Sequence, residues 1–352
     1  MPGSVHATVK RELLVRLLDA AAPALAHGGF SYAEGYPGAA GDREPSAVAA
    51  LRVFGEFADR LRGPLSVVLV GADADRLDAV RQRLARVRAQ AGLPATVRVD
   101  VVPGHCDAQL VPALERAGAF GAPILAYLDV AGTGLGVAGA TPPGHRTLAR
   151  LAAGRHADLL LALDPAALTA PLDAPLDAPA GEHLFGPSGW RAAADLPPAD
   201  RYPYLVTCYR QTLARAGLPE VCHVELVDDD GHAQLLLFAT GSAKSLDRFK
   251  DELWAVDEFA GVRYRDPRDH EHELLDISFE PHPGPLRRAL LDRVEASGGC
   301  PAGELRDHAR AETVYRASDA FRALTTLLAA GRLGREPKRG RLTAKTVILP
   351  RP

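Results

Sequence analysis

Three carboxylates stand close behind apolar runs: Glu34 in FSYAEGYPGAAG, Asp107 in GHCD and Asp129 in PILAYLDV. A carboxylate at a strand's carboxyl end accepts hydrogen bonds from a bound ligand, and within reach of an ionisable proton it acts as a general base. Glu34 opens a turn containing Gly35, Tyr36, Pro37, Gly38 and Gly41, and a helical stretch follows at 45–62. Strand, acid, glycine turn and helix, in that order, build the mouth of a nucleotide-type cofactor site in a doubly wound sheet. Gly35, Gly38 and Gly41 serve either close backbone approach to a ligand or an ordinary tight turn. Asp107 has two readings, a ligand contact or the N-cap of the helix behind it. His105 and Cys106 flank it, and neither has a nucleophile–base partner visible in the sequence.

A metal-binding reading is weaker. His270, His272 and His282 alternate with Glu271 and Glu273, and His-x-His on a strand puts two imidazoles on one face. No spacing fixes a third ligand, so the segment reads as an acidic surface ribbon and no metal is expected. The four cysteines, Cys106, Cys208, Cys222 and Cys300, are scattered and form no Cys-x-x-Cys pair. That pattern fits reduced intracellular thiols.

The 352 residues, 47% hydrophobic and 24% charged, are those of a globular chain of two or three domains. A net charge of -3 argues against a nucleic-acid binder that uses its whole surface, while leaving room for a local patch. No apolar run approaches the roughly 20 residues that cross a bilayer. The opening MPGSVHATVKRELL has charges where a secretory signal has its apolar stretch. A cytoplasmic location is expected. Nothing in the residues sets an oligomeric state.

The elements that must position the candidate residues alternate along the chain. An opening helix spans 9–26. Strands are expected at 30–33, 65–70, 95–102, 123–130 and 157–163, with helices at 45–62, 76–91 and 108–117 and a further helix before the fifth strand. Connections this short imply a parallel sheet covered on both faces. Residues 171–198 are Pro-rich and read as an irregular insertion, either a flap over the site or a surface excursion. A helix at 201–216 and strands at 222–229 and 232–240 follow, joined at Asp230-Gly231, a hairpin signal. A closing helix is expected at 242–256. A parallel sheet ending in an antiparallel hairpin resembles the class I S-adenosylmethionine-dependent methyltransferase fold, a Rossmann-like α/β architecture, here over residues 1–275.

Residues 276–352 read as a second unit. Helices at 286–297, 302–309 and 317–330 and a basic ribbon, GRLGREPKRGRLTAKTVILP, resemble a winged helix with its wing near 338–341. Arg335, Lys338, Arg339 and Arg341 are its candidate contacts to nucleic acid or to a protein partner.

With the elements placed, the chain resembles the three-Cys-motif partner protein family over most of its length. The resemblance rests on YAEGYPGAAG with EPSAVAAL, LVGADADRL, ILAYLDVAGTG, the GW at Trp190, TCYRQTLARAG and LLLFATGSAKSLDRFKDELWAVD, all in family order. It implies a methyltransferase-like domain, a C-terminal winged helix, a bacterial or phage setting, and a partner protein that carries a cysteine motif. Under the wider methyltransferase resemblance Glu34 meets the amino group of a bound methionine moiety. Asp107 meets the adenine amino group, and Asp129 lies beside the methyl donor as the candidate catalytic residue. Otherwise Asp129 is a buried acid tying down the loop at 132–139. Gly35, Tyr36, Gly38, Gly41, Asp73 and His105 complete the expected cofactor contacts.

Two departures stand out. The acid that usually closes the second strand and holds the ribose is replaced by Gly71, leaving Asp73 to take over if the turn bends back. The usual Asp-Pro after the fourth strand is Asp129-Val130. The leading expectation is a methyltransferase-like protein using S-adenosylmethionine on an unidentified acceptor, nucleic acid or a nucleoside-like metabolite. The alternatives are a degenerate binding partner, or an enzyme that reuses the pocket for other chemistry on a small metabolite.

Overall fold

The computed structural model describes residues 5–38, 44–60, 62–91, 93–94, 96–133, 141–175, 179–187 and 189–351, and for 22–27 the backbone alone. Helix α1 (Val5–His27) precedes five strands alternating with four helices: β1 (Phe30–Gly35), α2 (Ser46–Glu56), β2 (Leu65–Gly71), α3 (Ala74–Gln90), β3 (Val97–Pro103), α4 (Cys106–Arg116), β4 (Pro123–Asp129), α5 (His145–Ala152) and β5 (His156–Leu163). Then come α6 (Pro165–Thr169), α7 (Pro179–Phe185), α8 (Pro198–Arg215), β6 (Glu220–Asp228), β7 (Ala233–Thr240), α9 (Ala243–Leu253) and β8 (Val262–Arg265). The sheet order is β3-β2-β1-β4-β5-β7-β6-β8. β1 to β5 are parallel, and β7 enters antiparallel to β5, paired with β6. This is the strand order of the class I methyltransferase fold.

β1 and β2 are buried along their whole length, which explains why LSVVLV reads as a continuous apolar run rather than an alternating one. Alternation then sorts side chains between two cores. Phe30 and Tyr32 pack with α1 and α2, and Ala33 packs with Leu110 and Leu114 of α4. β1 runs two residues further than the sequence suggests, so Glu34 and Gly35 are strand residues rather than turn residues. The segment expected to be irregular at 171–198 contains α7 and a 3-10 stretch at Gly189–Asp195. Apolar Leu184, Phe185 and Trp190 anchor it in the second core, with Phe185 stacked on Trp190 at 5.8 Å. β8, an edge strand four residues long, has too little pattern to be read in advance. No helix among the described residues is long and apolar enough to cross a membrane.

The C-terminal elements are α10 (Gly284–Ser297), β9 (Cys300–Pro301), α11 (Ala302–Glu312), α12 (Ala317–Ala329), β10 (Leu333–Glu336) and β11 (Val347–Pro350). The three strands form an antiparallel sheet in the order β10-β11-β9. Their core is continuous with that of the large sheet: Leu286, Leu305 and Leu324 belong to the same buried cluster as Trp254 and Tyr264. A polar clamp fixes the junction. Lys250 of α9 is fully buried, and its ammonium donates to the carbonyl oxygens of Ala309 (3.2 Å), Thr313 (2.7 Å), Tyr315 (2.7 Å) and Arg310. Trp254 Nε1 donates to Val314 O at 3.1 Å. Burial pushes Lys250 down to about 8, but the carbonyl cage supplies the partners a buried ammonium requires. The lysine thus closes the carboxyl end of α11 as a cation should.

Lys250→Met keeps the stem and removes the donor. Each acceptor orphaned in the core costs about 1–3 kcal/mol, so the variant should lose at least about 3 kcal/mol in denaturant unfolding. A loss under about 1 kcal/mol would show that the junction does not depend on this side chain.

Candidate functional site

A cleft of about 480 Å³ opens at the carboxyl edge of the sheet. Its walls are Tyr36 and Pro37 behind β1, Gly71 to Asp73 behind β2, Gly104 to Asp107 behind β3, Thr133 and Thr141 behind β4, Arg76 of α3, and His183 of α7. The strand order reverses between β1 and β4, which is where doubly wound sheets bind ligands, and the volume suits a small molecule.

The backbone at the first turn is specialised. A Cβ on Gly35 would lie 2.8 Å from Leu128 Cδ2 and 2.9 Å from Cys106 Sγ, so only glycine lets the start of α4 approach the end of β1. Tyr36 takes φ +66°, a conformation that bulky residues rarely adopt. Its N–H donates to Val70 O at 3.0 Å and its hydroxyl to Thr141 O at 2.7 Å. The ring therefore spans from the β1 turn to the segment behind β4. Gly38 has φ +79°, and Gly41 lies outside the described residues. Burial pushes the Tyr36 hydroxyl far up, with Cys106 and Asp107 adding to the shift, so it serves as a donor. Burial likewise pushes Cys106 up to about 12, which leaves a thiol rather than a nucleophilic thiolate.

Four expected site residues, Glu34, Gly35, Gly38 and Asp129, do not line the cleft. Glu34 and Asp129 are both buried. Strand alternation turns them toward α1. Asp129 receives Lys10 Nζ at 2.7 Å on each oxygen, the Tyr127 hydroxyl at 2.8 Å and Gly132 N at 2.7 Å. Glu34 accepts from Tyr32 at 2.6 Å. Burial, then the charge of Glu34, push Tyr32 well above its ordinary value, so it stays protonated as that donor. Both oxygens of Asp129, the expected catalytic group, thus have partners inside the protein, and one of these partners, Gly132, lies in the chain behind β4.

At Gly71, a Cβ would lie 3.1 Å from Pro37 Cδ and 3.2 Å from Leu77 Cδ2, a tight fit between the β1 turn and α3. Asp73 caps α3, accepting from Arg76 N at 3.0 Å and Arg76 Nε at 3.1 Å. The Arg76 guanidinium also donates to Thr133 O at 2.9 Å, bridging the loops behind β2 and β4. The acid that was to replace the ribose ligand is thus engaged with an arginine.

Asp107 is in the cleft, but it is not a simple N-cap. His105 is the capping residue and makes no side-chain cap bond. The oxygens of Asp107 accept from Gly144 N at 2.9 Å and from His183 Nε2 at 2.8 Å. His183 is the residue sequence reasoning missed. The segment around it lacks periodicity, and its pairing with Asp107 spans 76 positions, so no local signal marks it. The His270–His282 ribbon gathers no ligand set: Arg288 pairs with Asp269, Glu271 and Glu273, and His282 pairs with Glu273 at 3.0 Å. Among the described residues, Asp228, Asp230 and His232 do converge at the β6–β7 turn, largely exposed.

No family model matches the chain, and no curated protein matches it. Among solved structures, it is similar to the O-methyltransferase TomG from Streptomyces achromogenes, solved with SAM (16% identity, 65% of this chain and 79% of that one, TM-score 0.31). It is also similar to a putative O-methyltransferase from Klebsiella pneumoniae (14%, 66% and 80%, TM-score 0.33). A third is a point mutant of the 16S rRNA (adenine(1408)-N(1))-methyltransferase from Catenulisporales acidiphilia (15%, 63% and 90%, TM-score 0.31). Likenesses this distant carry no site argument; the fold assignment rests on the strand order.

Gly71→Asp should destabilise the chain by about 1–3 kcal/mol, the usual range for overpacking a filled site. Adding Pro37→Ala should recover part of that loss. Simple additivity of the two changes in a double-mutant cycle would show that Pro37 is not what excludes the acid.

Proposed function

We propose that this chain is a class I methyltransferase-like protein that binds S-adenosylmethionine, or a related adenosine ligand, in the cleft behind β1 to β4. The observation that carries the reading is the place of the cleft: it lies across the strand-order reversal and is walled by the turns that follow four consecutive parallel strands. The turn at Tyr36 and Pro37, the residues at 71–73 and the first turn of α4 would hold the ligand. When bound, its sulfonium supplies an electrophilic methyl group. Methyl transfer depends on in-line positioning of two substrates more than on dedicated acid–base groups, so burial of Asp129 does not remove the activity from consideration.

The acceptor would be brought by the C-terminal unit, which we read as winged-helix-like from its helix, strand, two helices and hairpin, or by a partner protein. The resemblance to the three-Cys-motif partner family supports a partner carrying a cysteine motif. A cytoplasmic setting suits the four free thiols. Nucleic acid is the acceptor class that the basic hairpin favours. Lys338, Arg339 and Arg341 are exposed between β10 and β11, while Arg335 is partly spent on Gly340 O at 2.7 Å.

A second reading, a binding module without methyl transfer, is favoured by the Gly71–Pro37 contact and by the Lys10–Asp129 pair. Calorimetric titration with S-adenosylmethionine and S-adenosylhomocysteine separates the two. The enzyme reading expects saturable binding and an upward shift in unfolding temperature. Both should vanish in Ala72→Trp, which fills the cleft from an exposed wall position. Absence of binding by either ligand would leave only the second reading.

For the hairpin, a fluorescent duplex of about 20 base pairs should bind in low salt. Arg339→Glu with Arg341→Glu should flatten the salt dependence by about two in log–log slope. An unchanged slope would remove the wing from the acceptor site.

A further inference from the structure

We propose that His183 is the proton acceptor of the cleft, that Asp107 is its positioning residue, and that the acceptor group is a hydroxyl. This rests on the methyltransferase-like reading and deepens it.

The geometry is that of an oriented base. Asp107 sits in the first turn of α4, where the helix dipole favours a negative charge, and Gly144 N holds one of its oxygens. The other lies 2.8 Å from His183 Nε2, so in the neutral imidazole Nε2 carries the proton and Nδ1 carries the lone pair. No further side-chain bond engages His183 among the described residues, and its side chain is 40% exposed. The ring is held in place from its other side. Gly144 packs against it, so that a Cβ there would lie 2.5 Å from Cε1, 2.8 Å from Nδ1 and 2.9 Å from Nε2, and the His183 carbonyl accepts from His145 Nδ1 at 3.1 Å. A histidine oriented by an acid on the wall of a ligand-sized cleft matches the arrangement that activates hydroxyl nucleophiles.

A hydroxyl is the acceptor class that needs such a group. A neutral amine already has a free lone pair, whereas an alcohol or phenol must lose its proton as it is methylated. The acceptor oxygen forms the new C–O bond as the donor's C–S bond breaks, its electron pair staying on sulfur. The O–H proton passes to His183 Nδ1 and from there to water. Groups facing His183 from the surrounding elements are Asp107 on α4, His145 on α5, and the Glu182–Arg191 pair behind it (3.3 Å). Tyr36, Cys106, His105, Arg76 and Asp73 line the rest of the cleft. Burial keeps Tyr36 and Cys106 in their neutral forms near neutral pH, which leaves the two carboxylates, Arg76 and the histidines to tune the base.

The test uses the full chain. In 15N NMR, His183 should show the Nε2–H tautomer, and Asp107→Asn should abolish that preference. With methyl-labelled S-adenosylmethionine and a panel of catechol, phenol and nucleoside 2′-hydroxyl probes, label should appear on oxygen. His183→Gln should lower kcat by about 10²–10⁴-fold while leaving the Kd for S-adenosylhomocysteine within threefold. Added imidazole should restore part of the rate to His183→Gly. The proposal is overturned if His183 shows the Nδ1–H tautomer, or if His183→Gln keeps the wild-type kcat. Saturable binding of S-adenosylmethionine with label reaching amines and no hydroxyl probe, or reaching no probe at all, also overturns it. Failure of the wild-type chain to bind S-adenosylmethionine instead sinks the broader reading.

Discussion

The buried ion pair between Lys10 and Asp129 is the constraint around which this molecule is arranged. Two charges withdrawn from water must satisfy each other, and removing either partner of such a pair typically costs about 3–5 kcal/mol. The pair therefore draws α1 onto the sheet and fixes the chain behind β4 through Gly132. Tyr127 and, one strand over, Tyr32 with Glu34 extend the polar layer across β1 and β4. Asp129 is thus bonded to the first helix, and Glu34 to the tyrosine two residues before it in β1.

The cleft is walled by other residues. Among them are Tyr36 and Pro37 behind β1 and residues 104–107 at the start of α4. Its polar groups come from Asp73 with Arg76 and from Asp107 with His183. Pro37 lies against Gly71, where a Cβ would come within 3.1 Å of Pro37 Cδ. His183 reaches the cleft wall from α7, within the Pro-rich insertion.

The C-terminal unit is joined to this frame by desolvation as well as by apolar packing. Lys250 and Trp254 both reach carbonyls of the 309–315 segment. A lysine enclosed by carbonyls cannot be released into an apolar environment without heavy loss. The position of the basic hairpin is therefore tied to α9, and through α9 to β7 and the sheet.

Much of the architecture was legible from the residues alone. Continuous apolar runs such as LSVVLV, periodic helices between them and the Asp230-Gly231 turn were enough for the parallel sheet and its antiparallel end, because period and turn chemistry are local properties. Three things were not local. Whether β1 stops at Ala33 or runs to Gly35 decides on which face Glu34 stands, and sheet pairing with Leu69 and Tyr127 settles that. The choice of Lys10 as the partner of Asp129 joins residues 119 positions apart, and that of His183 for Asp107 joins residues 76 apart. Composition and spacing name the ionisable groups of a chain; which of them neutralise each other, and which are left to face a ligand, is set only when packing fixes the distances between them.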